Sequence, residues 1–310
     1  MRLLSYAPAH GGAPRIGVRL GDRVLDLADA ATVSGARVPA SMKELLRAGE
    51  AGLELARSLA HAAEAEPKRF AAAFHDERAI RYLPPVPDLD KFLCVGKNYR
   101  AHLEELKKHD LIKEMPGEVT GFVKIHACLA GHRENVVKPA VVEHLDYEPE
   151  LVFAIGKRAL GVKKSDDWRP YVAGVTVLND LTDRDMQKRE VASGSRFWTS
   201  KNAPGFGPVG PEIVTLDEVA DPYDLWMTCA VNGEQRMRVN TREQIWKMND
   251  ILAHFSRTIP LEPGDMFATG APGGVAVGKA NAGDLFLQPG DVVECAIEGI
   301  TTLRTPIVFS

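Results

Sequence analysis

Two glutamates set two positions apart open the apolar run Asp146-Tyr147-Glu148-Pro149-Glu150-Leu151-Val152-Phe153-Ala154-Ile155. Side chains two apart on a strand lie on one face, so Glu148 and Glu150 point together. Like charges so placed repel unless the strand is exposed there or a cation sits between them. A second acidic set, Asn179-Asp180-Leu181-Thr182-Asp183-Arg184-Asp185, follows an apolar strand ending at Leu178, which puts Asp180 at a strand end. All these groups are oxygens, with no cysteine or clustered histidine beside them, and such a set favours Mg²⁺, Mn²⁺ or Ca²⁺ over zinc. On spacing alone, a metal centre and a solvated strand edge followed by a helix cap both fit.

His102 and Glu105 are a second chemical pair. The segment from Tyr99 to Lys108 is made of helix formers, so residues three apart share a face. A carboxylate beside an imidazole raises its basicity and fixes its tautomer, as a general base requires, although a surface pair has the same spacing. The remaining histidines other than His126 are scattered singly and read as structural or exposed.

The elements that must position these groups fall into two stretches. Ile16–Leu20, Gly21-Asp22 and Val24–Ala28 read as strand, turn and strand, followed by alanine-rich helical sequence from about Ser41 to Glu66. The proline-rich Leu83-Pro84-Pro85-Val86-Pro87 marks a boundary, giving a small α/β domain over 1–83 and a larger one over 88–310. Beyond the boundary, short β-rich runs at Phe92–Val95, Leu151–Ile155, Val172–Leu178, Leu225–Val231 and Val292–Ile297 alternate with turns. Among these, Asn232-Gly233 is a strong hairpin signal. One helix is expected from Thr241, with Gln244 completing a capping box and Ile245, Met248, Leu252 and Phe255 on one face. The expected class is α+β, mainly β.

The chain has 310 residues and a formal charge of 38 − 42 = −4. No basic stripe points to nucleic acid, and no apolar run suits a membrane helix. Cys94, Cys128, Cys229 and Cys295 form no close pair in sequence, so a reducing, cytoplasmic setting is expected.

Four pieces occur in order: Gly96-Lys97-Asn98-Tyr99 followed by His102 and Glu105; Asp146-Tyr147-Glu148-Pro149-Glu150-Leu151; Asn179-Asp180-Leu181-Thr182-Asp183-Arg184-Asp185-Met186-Gln187; and Thr269-Gly270-Ala271-Pro272-Gly273-Gly274-Val275. Together they resemble the fumarylacetoacetate hydrolase family from about Lys91 to Val308. The resemblance implies a mixed β-roll catalytic domain, usually a homodimer, holding Mg²⁺ (alternatively Mn²⁺ or Ca²⁺) through Glu148, Glu150 and Asp180. It implies catalytic roles for His102, Glu105 and Lys201, and substrate-binding positions at Tyr99, Arg184, Gln187 and Thr269. The sequence departs from the family at Asp183, commonly alanine; at Ser200 and Asn202, usually glycine and serine; and at His126, in a segment that often carries proline and small hydroxyl residues.

The implied substrate is a small anionic 2-oxo or diketo acid, such as arises in the catabolism of aromatic or sugar-acid compounds. The first expectation is a hydrolase cleaving a C–C bond of an acylpyruvate or related β-diketo acid, with His102 and Glu105 activating water. The same enolate chemistry also serves a 2-oxo acid decarboxylase, isomerase or hydratase. A metal-stabilised binding protein that has lost activity is the non-enzymatic alternative. The segment Lys107–Gly117 is expected to act as a lid.

Overall fold

The computed structural model describes residues 1–108, 117–195 and 197–309; most of the expected lid lies outside them. Among the described residues, twelve strands form one sheet. Its main path is Phe74–Asp76, Arg23–Asp26, Arg15–Leu20, Arg2–Pro8, Gly207–Thr215, Val172–Asn179, Pro149–Ile155, Met266–Ala268, Phe92–Gly96 and Thr120–Lys124. The N-terminal strands extend the sheet that carries the carboxylates, because Arg2 pairs with Val214 and Leu3 with Ile213. A second sheet has five strands, in the order Glu234–Asn240, Trp226–Val231, Val292–Ile297, Thr301–Phe309 and Val136–Lys138. The fold is α+β and predominantly β, as expected.

The unbroken apolar run Leu151–Ile155 follows from burial of both faces of the large sheet. Leu151, Phe153 and Ile155 join the core shared with the five-stranded sheet, which includes Met227, Cys229, Val293 and Leu303. Val152 and Ala154 face the other way and pack with Leu45, Ala56 and Leu59 of the N-terminal helices. Glu150 continues the side of Val152 and Ala154 at the strand's leading end. Among the described residues, no helix is long and apolar enough to cross a membrane.

Several boundaries differ from the sequence expectation, each for a visible reason. The strand expected over Val24–Ala28 stops at Asp26, whose side chain accepts from the Asp29 amide and caps a helix over Leu27–Ser34. The alanine-rich stretch divides into Met42–Arg47 and Glu50–Ala65, interrupted at Gly49, whose φ is +62°. The helix expected from Thr241 is a single 3₁₀ turn over Thr241–Glu243, and the α-helix begins only at Met248, with Asp250 in the capping role. The segment between is drawn into tertiary pairing instead. The Ile245 amide donates to the Asn98 carbonyl, the Trp246 amide to Asn98 Oδ1, and Gln244 Nε2 to Tyr99 and Thr269. The Asn232-Gly233 turn joins Trp226–Val231 to Glu234–Asn240 as expected.

Candidate metal and catalytic site

Glu148 and Glu150 enter at the start of the strand Pro149–Ile155, which pairs with Val172–Asn179 so that Pro149 faces Asn179 and Glu150 faces Leu178. That register delivers Asp180, one residue past its strand, to the same place, and the Asp180 amide donates to the Glu148 carbonyl at 2.8 Å. All three carboxylates are buried, and each offers an oxygen within 4.8 Å of the others. The solvated strand edge that spacing alone left open is therefore excluded.

Three cations surround the trio. Lys201 Nζ donates to Glu148 Oε2 and Asp180 Oδ2 at 2.6 Å each, and to Thr182 Oγ1 at 2.8 Å. Lys124 Nζ donates to Asp180 Oδ1 at 2.6 Å and to the Lys201 carbonyl at 2.6 Å. Arg184 Nη2 lies 2.7 Å from Glu148 Oε1, while Arg184 is anchored to Asp146 and donates to Gln187 Oε1 at 2.9 Å. Burial opposes ionisation of Glu148, but Lys201, Arg184 and His102 pull its carboxyl down to about 2. Burial likewise opposes the charge on Lys201, yet Asp180 and Glu148 hold it above the ordinary lysine range. Glu150 goes the other way: burial, then the neighbouring Asp180 charge, push its carboxyl well above the usual range and outweigh the Lys201 charge and the Gly270 amide, which pull it down.

His102 lies on the helix Arg100–Lys108, which buries His102, Leu103 and Leu106. Its Nδ1 is 3.3 Å from Glu105 Oε2, and its Nε2 is 3.9 Å from Glu148 Oε1. Glu105 is fixed in turn by the Gly274 amide, which donates to Oε1 at 2.8 Å. Gly278 leaves room for this carboxylate, since a Cβ there would lie 2.5 Å from Glu105 Cδ. A cavity of about 20 Å³ lies at this centre, and its walls include His102, Phe122, Glu148, Gln187, Phe197 and Lys201. Larger clefts of about 500 and 590 Å³ open beside Arg2 and Arg19 and beside Arg47 and Glu50, and the carboxylate trio lines neither.

Tyr99 and Thr269 are buried and joined through Gln244, whose Nε2 donates to Tyr99 Oη at 3.1 Å and Thr269 Oγ1 at 3.2 Å. They back the site, and neither they nor Arg184 line the cavity. Among the departures, Asp183 caps the helix Arg184–Ala192 by accepting from the Met186 amide. His126 is exposed and contacts the Pro87 carbonyl.

Sequence reasoning missed three participants. Lys124 ends a strand in a fully buried position, and a lone lysine carries no signal that it will meet an aspartate 56 residues away. Asp146 accepts from the Ala276 and Val277 amides as well as from Arg184. Asn98 ties its loop to Trp246 and Thr269. Asp146 was readable only as part of an acidic run.

Three clustered carboxylates with all-oxygen donors suit a hard divalent cation. The like-charge pressure on Glu150 is what such a cation would relieve. Glu148, Glu150 and Asp180 are the residues that would hold it.

Residues 91–308 match the family described as fumarylacetoacetate (FAA) hydrolase C-terminal. The chain is 33% identical over 311 residues to the mitochondrial oxaloacetate tautomerase FAHD2A of Homo sapiens, covering 99% of this chain and 92% of that protein. It is 31% identical to the mitochondrial oxaloacetate tautomerase fahd2 of Xenopus laevis, covering 99% of this chain and 90% of the relative. Among solved structures, maleylpyruvate hydrolase from Sphingobium sp. SYK-6 is 30% identical with a TM-score of 0.75, covering all of both chains. The same enzyme is known in complex with a manganese(II) ion and pyruvate. A fumarylacetoacetate hydrolase from the psychrophile Exiguobacterium antarcticum is 29% identical with a TM-score of 0.77, again over both full chains. With the ordered motifs, the shared fold and a match over most of its length, this chain is a member of the fumarylacetoacetate hydrolase family.

Proposed function

We propose that this protein is a divalent-metal-dependent enzyme that interconverts the keto and enol forms of oxaloacetate or a closely similar small 2-oxo dicarboxylic acid. One observation carries the reading: an imidazole and an ammonium approach opposite oxygens of the same buried carboxylate. His102 Nε2 is 3.9 Å from Glu148 Oε1, and Lys201 Nζ is 2.6 Å from Glu148 Oε2. Tautomerisation moves one proton from C3 to the oxygen on C2 and forms no bond to water, so it calls for a base and positive charge at the C2 oxygen but no nucleophile.

A divalent cation, when bound by the trio, would supply Lewis-acid polarisation of the 2-oxo group. His102, with its tautomer and ring orientation set by Glu105, takes the proton from C3 and, as the imidazolium, gives one back to the C2 oxygen, so the C–H bond broken is matched by the O–H bond formed. Lys201 keeps its proton at neutral pH and stabilises the negative charge growing on the C2 oxygen, a preorganised donor in a buried site. Gln187 lines the cavity and holds Arg184, which places an amide beside the polar end of a substrate. Support also comes from relatives that match nearly the whole chain and bear the name oxaloacetate tautomerase.

Hydrolysis of an acylpyruvate, the first expectation from sequence, stands as the second reading. The likeness over the full chain to a maleylpyruvate hydrolase favours it. It uses the same residues, with His102 acting on a water that attacks the distal carbonyl, after which the pyruvate enolate leaves and takes up a proton.

The deciding experiment follows loss of the ultraviolet absorbance of enol-oxaloacetate, with Mg²⁺ or Mn²⁺ and after chelation, alongside acylpyruvate cleavage. Metal-dependent enol decay that vanishes in His102→Ala supports the proposal. Equal decay in chelated and metal-loaded protein would refute it, and cleavage of acylpyruvate without enol decay would establish the second reading.

A further inference from the structure

Lys201 sits on a short 3₁₀ turn, Thr199–Lys201, that supplies little rigidity by itself. Two outside groups hold it. On one side, Glu190 of the helix Arg184–Ala192 accepts from the Thr199 amide at 2.5 Å, from the Ser200 amide at 3.3 Å and from Ser200 Oγ at 2.6 Å. On the other, Asn202 docks the turn onto Thr120–Lys124, the strand at the end of the large sheet. Asn202 Oδ1 accepts from the Ile125 amide at 2.7 Å, and its Nδ2 donates to the Val123 carbonyl at 3.0 Å and the Trp198 carbonyl at 2.9 Å.

These contacts, to Val123 and Ile125, flank Lys124, and Lys124 returns the connection. Its ammonium reaches past the edge to the Lys201 carbonyl and to Asp180 Oδ1, at 2.6 Å each. The amide of Asn202 therefore fixes the backbone of Lys124, and the side chain of Lys124 fixes the backbone of Lys201. One closed circuit sets both the ammonium and a carboxylate of the trio. A serine at 202, the usual family residue, has one hydroxyl in place of a carbonyl and an amide, and a reach one heavy atom shorter. It cannot bridge Val123 and Ile125 in this way.

We propose that Asn202 and Lys124 form a reciprocal latch that positions Lys201 for proton holding, so that Asn202 is a positioning residue in this chain. The inference rests on the assignment of Lys201 to the reaction, and its test includes a readout independent of turnover. Asn202 is half-buried on an edge, so Asn202→Ala retains the core, and Lys124→Met supplies the second arm.

The experiment measures kcat and KM for enol-oxaloacetate, Mn²⁺ affinity by calorimetry, and labelling of Lys201 by an amine-reactive reagent, read by mass spectrometry. In Asn202→Ala, kcat is expected to fall about 10-fold or more, since small displacements near a reacting centre have effects of that size. KM and Mn²⁺ affinity should stay within about twofold, because no substrate or metal contact is removed. Lys201, protected in the wild type, should label several-fold faster. Combining Asn202→Ala with Lys124→Met should add little to the larger single effect, as expected of residues in one circuit. Unchanged labelling of Lys201 in Asn202→Ala, or fully additive losses, would overturn the latch. A wild-type protein without metal-dependent turnover, whose Lys201 nevertheless becomes labelled in Asn202→Ala, would leave the latch standing and refute the proposed function instead.

Discussion

Lys201 Nζ and Glu148 Oε2 lie 2.6 Å apart in a fully buried setting, so one carboxylate serves both an ammonium and the cation its position suits. The contact is charge-assisted, and it also places a positive charge beside the proposed cation site. Lys201→Met removes that repulsion while leaving all three carboxylates. Mn²⁺ affinity is expected to hold or tighten, whereas turnover should fall by about 100-fold or more, the scale seen when a preorganised charge-stabilising donor is lost. Calorimetry and steady-state kinetics on the same preparation check both parts; weakened metal binding would contradict the geometry.

Gly278 gives a test of the dyad that leaves both members in place. In Gly278→Ala, the added Cβ meets Glu105 Cδ at 2.5 Å and must displace it from His102. Turnover is expected to drop by about 10- to 100-fold, with a stability loss of about 1–3 kcal/mol for overpacking. Mn²⁺ affinity should not change, because the trio is untouched. Kinetics that match the wild type would show that Glu105 does not set the imidazole.

Burial and Asp180 push the Glu150 carboxyl well above its usual range, so metal binding and proton release are coupled there. Below that raised value, each cation bound should expel up to one proton, and apparent affinity should climb with pH; above it, the dependence should flatten. Calorimetric titrations in buffers of different ionisation enthalpy count the protons. Glu150→Gln should bind the metal weakly and abolish the release.

Asp26 predicts acid sensitivity in the N-terminal layer. Burial opposes its charge, but Arg15, the Tyr6 hydroxyl at 2.5 Å and the Asp29 amide at 2.8 Å hold it below the ordinary aspartate range. A folded value below the unfolded one gives stability that is complete above the unfolded value and is lost as pH falls through the folded one. Arg15 is one-third exposed, so Arg15→Ala should cost only about 1–2 kcal/mol near neutral pH. The variant's melting temperature should also fall less than the wild type's on acidification, which thermal denaturation at a series of pH values will show.

Much of the site was legible because its signals are local. The alternation of Glu148 and Glu150, the i, i+3 spacing of His102 and Glu105, and the placement of Asp180 just after an apolar strand follow from strand and helix periodicity. The four ordered motifs carry the family likeness in the sequence itself. The strand Val292–Ile297 and the Asn232-Gly233 hairpin were likewise written in short stretches, where backbone preference and turn chemistry decide the outcome.

What tertiary structure alone decided is which charges meet. Spacing could not separate a buried carboxylate cluster from a solvated edge; the pairing of Glu150 with Leu178 did so by bringing Asp180 under cover. Lys124 became part of the centre only because the end strand lies against the Lys201 turn, and Gln244 left its expected helix because Tyr99 and Thr269 offered partners from distant segments. A residue's type and local period determine its secondary structure and face. Its charge partners are set by strand register and packing between segments far apart in the chain, which no local pattern encodes.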